Sequence, residues 1–216
     1  MSTLAPVLTR QTVVYPESDG LPMADNTKQF RWIVTIEGGL EALYRDEPNV
    51  FVAGNLLWYP TEGDNTIRVA PDILVVFGRP KGDRGSYLQW LEDNIAPQVV
   101  FEVFSPGNRA GKLISKFKFY EHHGVEEYYF YDPENGDLTG WIRGNGELQE
   151  IPEMNGWVSP RLKVRFELVN GELRLFGPDG KRFATYVELV EQREKAQQRA
   201  ERLAAQLKAL GVEPEA

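Results

Sequence analysis

From about Ala24 to Tyr44 the apolar positions Phe30, Ile33, Val34, Ile36, Leu40 and Leu43 recur near helical spacing, which predicts a helix weakened internally by Gly38-Gly39. A set of strands follows. Val50 to Trp58 is rich in β-branched and aromatic residues, and Pro60 to Asn65 carries turn chemistry. Val69 to Phe77 and Val99 to Phe104 are nearly continuous apolar runs, the pattern of strands covered on both faces. Ser105-Pro106-Gly107-Asn108 breaks the third strand. A helix is predicted from about Lys112 to His123, with Gly124 as its stop, and Glu127 to Tyr131 reads as a fourth strand. Strand, helix, strand at this spacing points to a crossover between parallel neighbours.

Beyond Leu138 the apolar segments shorten to Leu138–Arg143, Glu147–Ile151, Leu162–Leu168 and Leu173–Phe176, with turns at Gly144-Asn145-Gly146 and Asn170-Gly171. Hairpins here either extend the sheet or form a small separate layer. From about Tyr186 to Leu210 the pattern becomes helical again. Leu189, Ala196, Leu203 and Leu210 are seven apart, and Arg193, Ala200 and Leu207 interleave with them as in a heptad seam. Such a helix either packs on its own domain or pairs with a second copy. Residues 1–20 show no period and read as an extended arm, 21–180 as the main domain and 181–216 as a helical tail.

Composition narrows the function. With 216 residues, 42% of them hydrophobic, the chain can bury a real core, and with no cysteine it has neither disulfides, thiolate zinc sites nor a cysteine nucleophile. Met1 to Tyr15 does not read as a signal peptide, and no window approaches the roughly 18 apolar residues of a membrane span, so a cytoplasmic location is expected. The formal net charge of -8 disfavours generic nucleic-acid binding. The charge is unevenly spread, however. No acidic residue lies between Glu102 and Glu121, an interval that holds Arg109, Lys112, Lys116 and Lys118.

Two carboxylates stand in costly places. Asp72 follows Pro71 and opens an apolar run, and Glu102 lies inside Val99–Phe104. A carboxylate in a buried strand must be paired or bind a cation. Two on adjacent strands could hold a hard cation such as Mg²⁺, which takes one or two protein carboxylates and keeps waters. The purely structural alternative is that Asp72 caps a turn and Glu102 pairs with a nearby Lys or Arg. On the predicted helix Lys116 lies about 60° from Leu113, on the flank of the buried face marked by Leu113, Phe117 and Tyr120. From there its ammonium can reach back to the sheet edge, where a cation beside two carboxylates and a metal suits phosphodiester hydrolysis; the alternative is a snorkelling surface lysine. Arg109 and Lys112 are candidates for binding a nucleic-acid backbone, as are the cations of the Arg79–Gly85 loop. His122 and His123 point about 100° apart and make no shared metal site; His122 is expected to be solvated and His123 to cap the helix end. Ser105 has no triad partner and reads as a turn residue.

Val69-Ala70-Pro71-Asp72-Ile73-Leu74-Val75-Val76, Val100-Phe101-Glu102-Val103-Phe104-Ser105-Pro106, Lys116-Phe117-Lys118-Phe119-Tyr120, Gly124-Val125-Glu126-Glu127-Tyr128-Tyr129 and Tyr131-Asp132-Pro133 together resemble the Uma-two family of restriction-endonuclease-like proteins, in the PD-(D/E)XK nuclease superfamily. The resemblance runs from about Leu21 to Phe176, and the Glu/Gln/Arg-rich tail is similar to tails common in the family. It implies an α/β fold with a mixed central sheet flanked by helices, added β-hairpins and a C-terminal helix. It implies Asp72 and Glu102 as the motif acids, the Val103 carbonyl as a further metal ligand, and Lys116 as the lysine, moved to the helix because Phe104 stands two residues after the motif acid. Related sequences often carry a histidine in the first helix, where Gln29 aligns. The function so implied is a metal-dependent endonuclease that cuts DNA with Mg²⁺ or Mn²⁺, as a homodimer if the tail pairs. The competing reading is a catalytically silent module that associates with other proteins through its tail.

Overall fold

The computed structural model describes residues 13–20, 22–106 and 110–210. Helix α1, Thr27–Leu43, starts where Asn26 accepts from the N–H groups of Lys28 and Gln29, an N-cap that satisfies two orphan donors of the first turn. Gln29, Ile33, Ile36 and Leu40 form its buried stripe at four-three-four spacing. The helix runs unbroken through Gly38-Gly39 because tertiary packing overrides the weak propensity there: a Cβ at position 39 would stand 2.2 Å from the Phe183 ring, so only glycine lets that ring sit on the helix.

Strands β1 (Val50–Gly54), β3 (Ile73–Phe77), β5 (Val99–Val103), β6 (Glu127–Asp132), β7 (Asp137–Gly144) and β8 (Glu147–Glu150) form one six-stranded sheet in the order β1-β3-β5-β6-β7-β8. All neighbours are antiparallel except β5 and β6, which are parallel and joined by α2, Ala110–His122. The expected crossover is therefore present. Side chains of β3 and β5 alternate between two cores. Ile73, Val75, Val99, Phe101 and Val103 pack against α1, and Leu74, Val76 and Val100 pack with Tyr120 of α2. Burial on both faces explains the unbroken apolar runs.

The last two expected hairpin segments form a separate ribbon, β9 (Arg165–Val169) with β10 (Glu172–Phe176), whose Phe166, Leu173 and Leu175 join the α1-side core. Asn145-Gly146 and Asn170-Gly171 turn with positive φ at both residues, as tight hairpins require. Two predicted strands are shorter than their apolar runs. The first breaks after Gly54, and Trp58–Tyr59 (β2) leaves to make a two-residue parallel ladder with β4, Tyr87–Leu88. Val69 makes only a single bridge to Trp58, so β3 begins at Ile73. Residues 13–20 hold no helix or strand; Tyr59 donates from its hydroxyl to the Pro16 carbonyl at 2.7 Å and packs edge-on against Tyr15.

Helix α3, Tyr186–Ala209, opens on a reciprocal cap between Thr185 and Glu188. No residue of it is buried, so it does not pack on its own domain as one expectation had it. None of the described helices is long and apolar enough to cross a membrane.

Candidate active site

The β3–β5 register pairs Ile73 with Phe101, and one step further along it Asp72 faces Glu102. Both side chains share the strand face that carries Leu74 and Val100, turned toward α2. Both are buried, Asp72 to 7% and Glu102 to 2% relative exposure. Two acids that sequence separates by thirty positions thus lie across one strand pair.

Lys116 reaches this pair from α2. Its Nζ donates to Glu102 Oε1 at 2.8 Å and Oε2 at 2.7 Å, and to the Ala70 carbonyl at 3.0 Å. Burial pulls the Lys116 pKa down, but the adjoining Glu102 and Asp72 charges outweigh it and leave the net shift upward. The residue is a held cation, not a surface snorkel and not a base. Tyr120, one turn on, donates its hydroxyl to Glu102 Oε1 at 2.5 Å; burial and the Glu102 charge push its own pKa well up.

Asp72 Oδ2 accepts the Val103 N–H at 2.7 Å. Burial first, and then the charge of Glu102, raise the Asp72 carboxyl to about 7 against the opposing pull of Lys116 and that N–H. The Val103 carbonyl accepts from Gln29 Nε2 at 2.8 Å, while Gln29 Oε1 accepts the Asp25 N–H at 2.8 Å. The first helix therefore does contribute to the site, through a glutamine whose amide uses both ends. The signal was in the sequence: Gln29 falls on the same helical stripe as Ile33, Ile36 and Leu40, where a polar residue needs partners. Tyr120 was legible as a buried residue but not as a donor to Glu102.

Asp72, Glu102, Lys116 and Gln29 line a cleft of about 530 Å³ together with Asp19, Asp25, Asn55, Arg68, Lys112 and Phe119. Of the two cations assigned to backbone binding, Lys112 lines the cleft and Arg109 lies outside the described residues. The loop Arg79–Gly85 is not a free phosphate site, because Arg79 and Arg84 both pair with Glu92, at 2.8 and 2.6 Å, and Arg84 stacks over Phe51. His123 does not cap α2. It packs on Phe119 and Trp58, and burial followed by the neighbouring His122 lowers its pKa. The capping cation is Arg143, which donates to the Tyr120 and Glu121 carbonyls. Ser105 is buried and donates to Asp25.

Among the described residues no group of three or more His, Cys, Asp or Glu side chains could hold a metal. The candidate donors are all oxygens: the two carboxylates that line the cleft, and the carbonyl of Val103, whose N–H bonds Asp72. That set fits a hard cation that keeps several waters. Two carboxylates crowded in a buried place, one with its proton affinity raised by the other, are also what such a cation would relieve.

A family model described as "Uma2: Putative restriction endonuclease" matches residues 22–163, a span from just before α1 to beyond β8 that holds Asp72, Glu102, Lys116 and Gln29. It stops short of Phe176 and of the tail. A solved structure described as a putative nuclease belonging to DUF820 from Anabaena variabilis ATCC 29413 is similar at 17% sequence identity and a TM-score of 0.47, over 62% of this chain and 72% of that one. No curated protein matches.

Proposed function

The chain belongs to the Uma2 family, described by the words "putative restriction endonuclease", and we propose that it is a divalent-metal-dependent endonuclease hydrolysing DNA phosphodiester bonds. The observation that carries this reading is the convergence of Asp72, Glu102 and Lys116 in one cleft, with both Glu102 oxygens held by the lysine.

Asp72, Glu102 and the Val103 carbonyl would hold Mg²⁺, or Mn²⁺ in its place. When bound, the ion supplies Lewis acidity to a phosphoryl oxygen and lowers the pKa of a water. The remaining roles fall to the chain. Lys116, kept charged by its two acid neighbours, offsets the negative charge that develops on the phosphate. Tyr120 and Lys116 fix the Glu102 carboxylate from two sides, and Gln29 fixes the Val103 carbonyl, so the oxygens are oriented before a ligand arrives. Lys112 and Arg109 bind the backbone. The seam from Leu189 to Leu210 joins two copies, giving one cleft per strand of a duplex.

Cleavage of supercoiled plasmid and of single-stranded DNA, with Mg²⁺ or Mn²⁺, by wild type beside Glu102→Ala tests this. Cleavage by wild type and none by a folded Glu102→Ala supports the assignment; equal cleavage by both removes Glu102 from it. The exposed α3 favours a second reading, a silent nuclease-fold module that works by association. Absence of both cleavage and calorimetric Mg²⁺ or Mn²⁺ binding would select that reading.

A further inference from the structure

Arg68 lines the same cleft from a different wall, the segment between β2 and β3. It is half-buried, and among the described residues no carboxylate lies within ion-pair distance of it. Arg45, Arg79, Arg84, Arg161, Arg165 and Arg182 each pair with an acid, whereas Arg68, like the half-buried Arg143, bonds only neutral oxygens; of these two only Arg68 lines the cleft. Its hydrogen bonds both use Nη1 and both go to neutral oxygens, the Tyr59 hydroxyl at 3.4 Å and the Asn65 carbonyl at 3.2 Å. Tyr59 is itself fixed, since its hydroxyl donates to Pro16. The guanidinium is thus held through Nη1 and by lying over the Tyr59 ring, 5.9 Å from its centroid, while Nε and Nη2 make no hydrogen bond among the described residues.

A half-buried guanidinium without a counter-charge is costly in isolation. Its two remaining donors present the fork that matches a phosphate's oxygens. Asp72 and Glu102 in the same cleft repel a lone anion, so an anion resting on Arg68 is best retained when it is part of a chain anchored elsewhere too. We propose that Arg68 clamps a backbone phosphate of a nucleic-acid strand adjacent to the phosphate at the carboxylate pair, so that the substrate is a polynucleotide spanning the cleft from the Arg68 wall to Lys112 on α2. This rests on the nuclease reading above and adds a residue that sequence gave no reason to select: Arg68 lies in a loop with no period and no motif.

The test is fluorescence anisotropy of a labelled oligonucleotide, with Ca²⁺ replacing Mg²⁺ to keep the strand intact, across a series of salt concentrations, for wild type, Arg68→Gln and Arg68→Lys. Plasmid cleavage and thermal midpoints are recorded beside it. Loss of one charge-assisted contact weakens Arg68→Gln binding roughly tenfold and flattens the log K against log salt slope by about 0.7–0.9. Arg68→Lys keeps the slope and loses affinity, because the charge stays and the fork does not. Unchanged affinity and slope in a folded Arg68→Gln overturn the clamp while wild-type cleavage leaves the nuclease reading standing. Should Arg68→Gln not fold, Arg68→Lys decides alone: weaker binding at constant slope supports the clamp, and wild-type affinity overturns it. A wild type that neither binds the oligonucleotide nor cuts plasmid overturns both.

Discussion

Gln29 donates from its side-chain amide to the main-chain carbonyl of Val103, 2.8 Å away, at the point where the β3–β5 ladder has already ended. On the edge that faces β3, both polar groups of the Val103 main chain are satisfied by side chains, the carbonyl by Gln29 and the N–H by Asp72, while β5 stays paired with β6. The end of the β3–β5 ladder is thus also where the candidate ligands lie.

Replacing Gln29 with leucine strands that buried carbonyl, while the N–H of the exposed Asp25 can turn to water. A loss of about 1–3 kcal/mol is expected, read as a lower denaturation midpoint at unchanged m-value. A midpoint within error of wild type would show that water takes over both bonds.

Asp72 predicts a pH dependence of unusual sign. Its folded-state pKa is raised to about 7 from an ordinary 3.8. The folded state therefore holds the proton where the unfolded state has lost it, and the Asp72 contribution to stability is present below pH 4 and is lost as pH rises through 7. In metal-free protein Asp72→Asn should be more stable than wild type at pH 8, by on the order of 2–4 kcal/mol, and the gap should close toward pH 4. Chelated samples of both proteins, melted across that range, check it; a gap that is constant with pH would contradict it.

Adjacent glycines in α1 should respond oppositely to alanine. At Gly38 nothing lies within 4 Å of an added Cβ, so Gly38→Ala should stabilise the helix by about 0.5–1 kcal/mol. At Gly39 the same methyl collides with Phe183, and Gly39→Ala should cost about 1–3 kcal/mol. Thermal midpoints of the two variants must diverge in sign.

The α3 seam leaves Leu203 50% and Leu207 39% exposed. If two copies pair through it, the double variant Leu203→Glu, Leu207→Glu should convert a dimeric mass in light scattering to a monomeric one. The thermal midpoint of the domain should not move, because none of these side chains is buried in it. A monomeric wild type at micromolar concentration would rule the seam out as a dimer contact.

Features written in local chemistry were legible in sequence. The crossover around α2 announced itself through apolar runs, a Ser-Pro-Gly-Asn break and Gly124, whose φ of +88° ends the helix. Asp72, Glu102 and Lys116 were conspicuous because charge in or beside a buried run is costly. What could not be read depends on distant partners. The β2–β4 ladder is two residues long and is set by where the chain lands, not by any period. Arg84 looked like a free loop cation until Glu92 and Phe51 closed on it, and His123 looked like a cap until Arg143 took that place.

The Phe183 ring that rests on Gly39 has a mechanical consequence. Phe183 lies at the root of the tail, three residues before α3 begins, and Gly39 lies on the helix whose first turn holds Val103 through Gln29. About 15 Å of one rigid rod separates the two contacts. The root of the tail and the candidate metal-binding carbonyl thus rest on one helix, with the same root also tied to β10 through the Phe183 N–H and the Leu175 carbonyl.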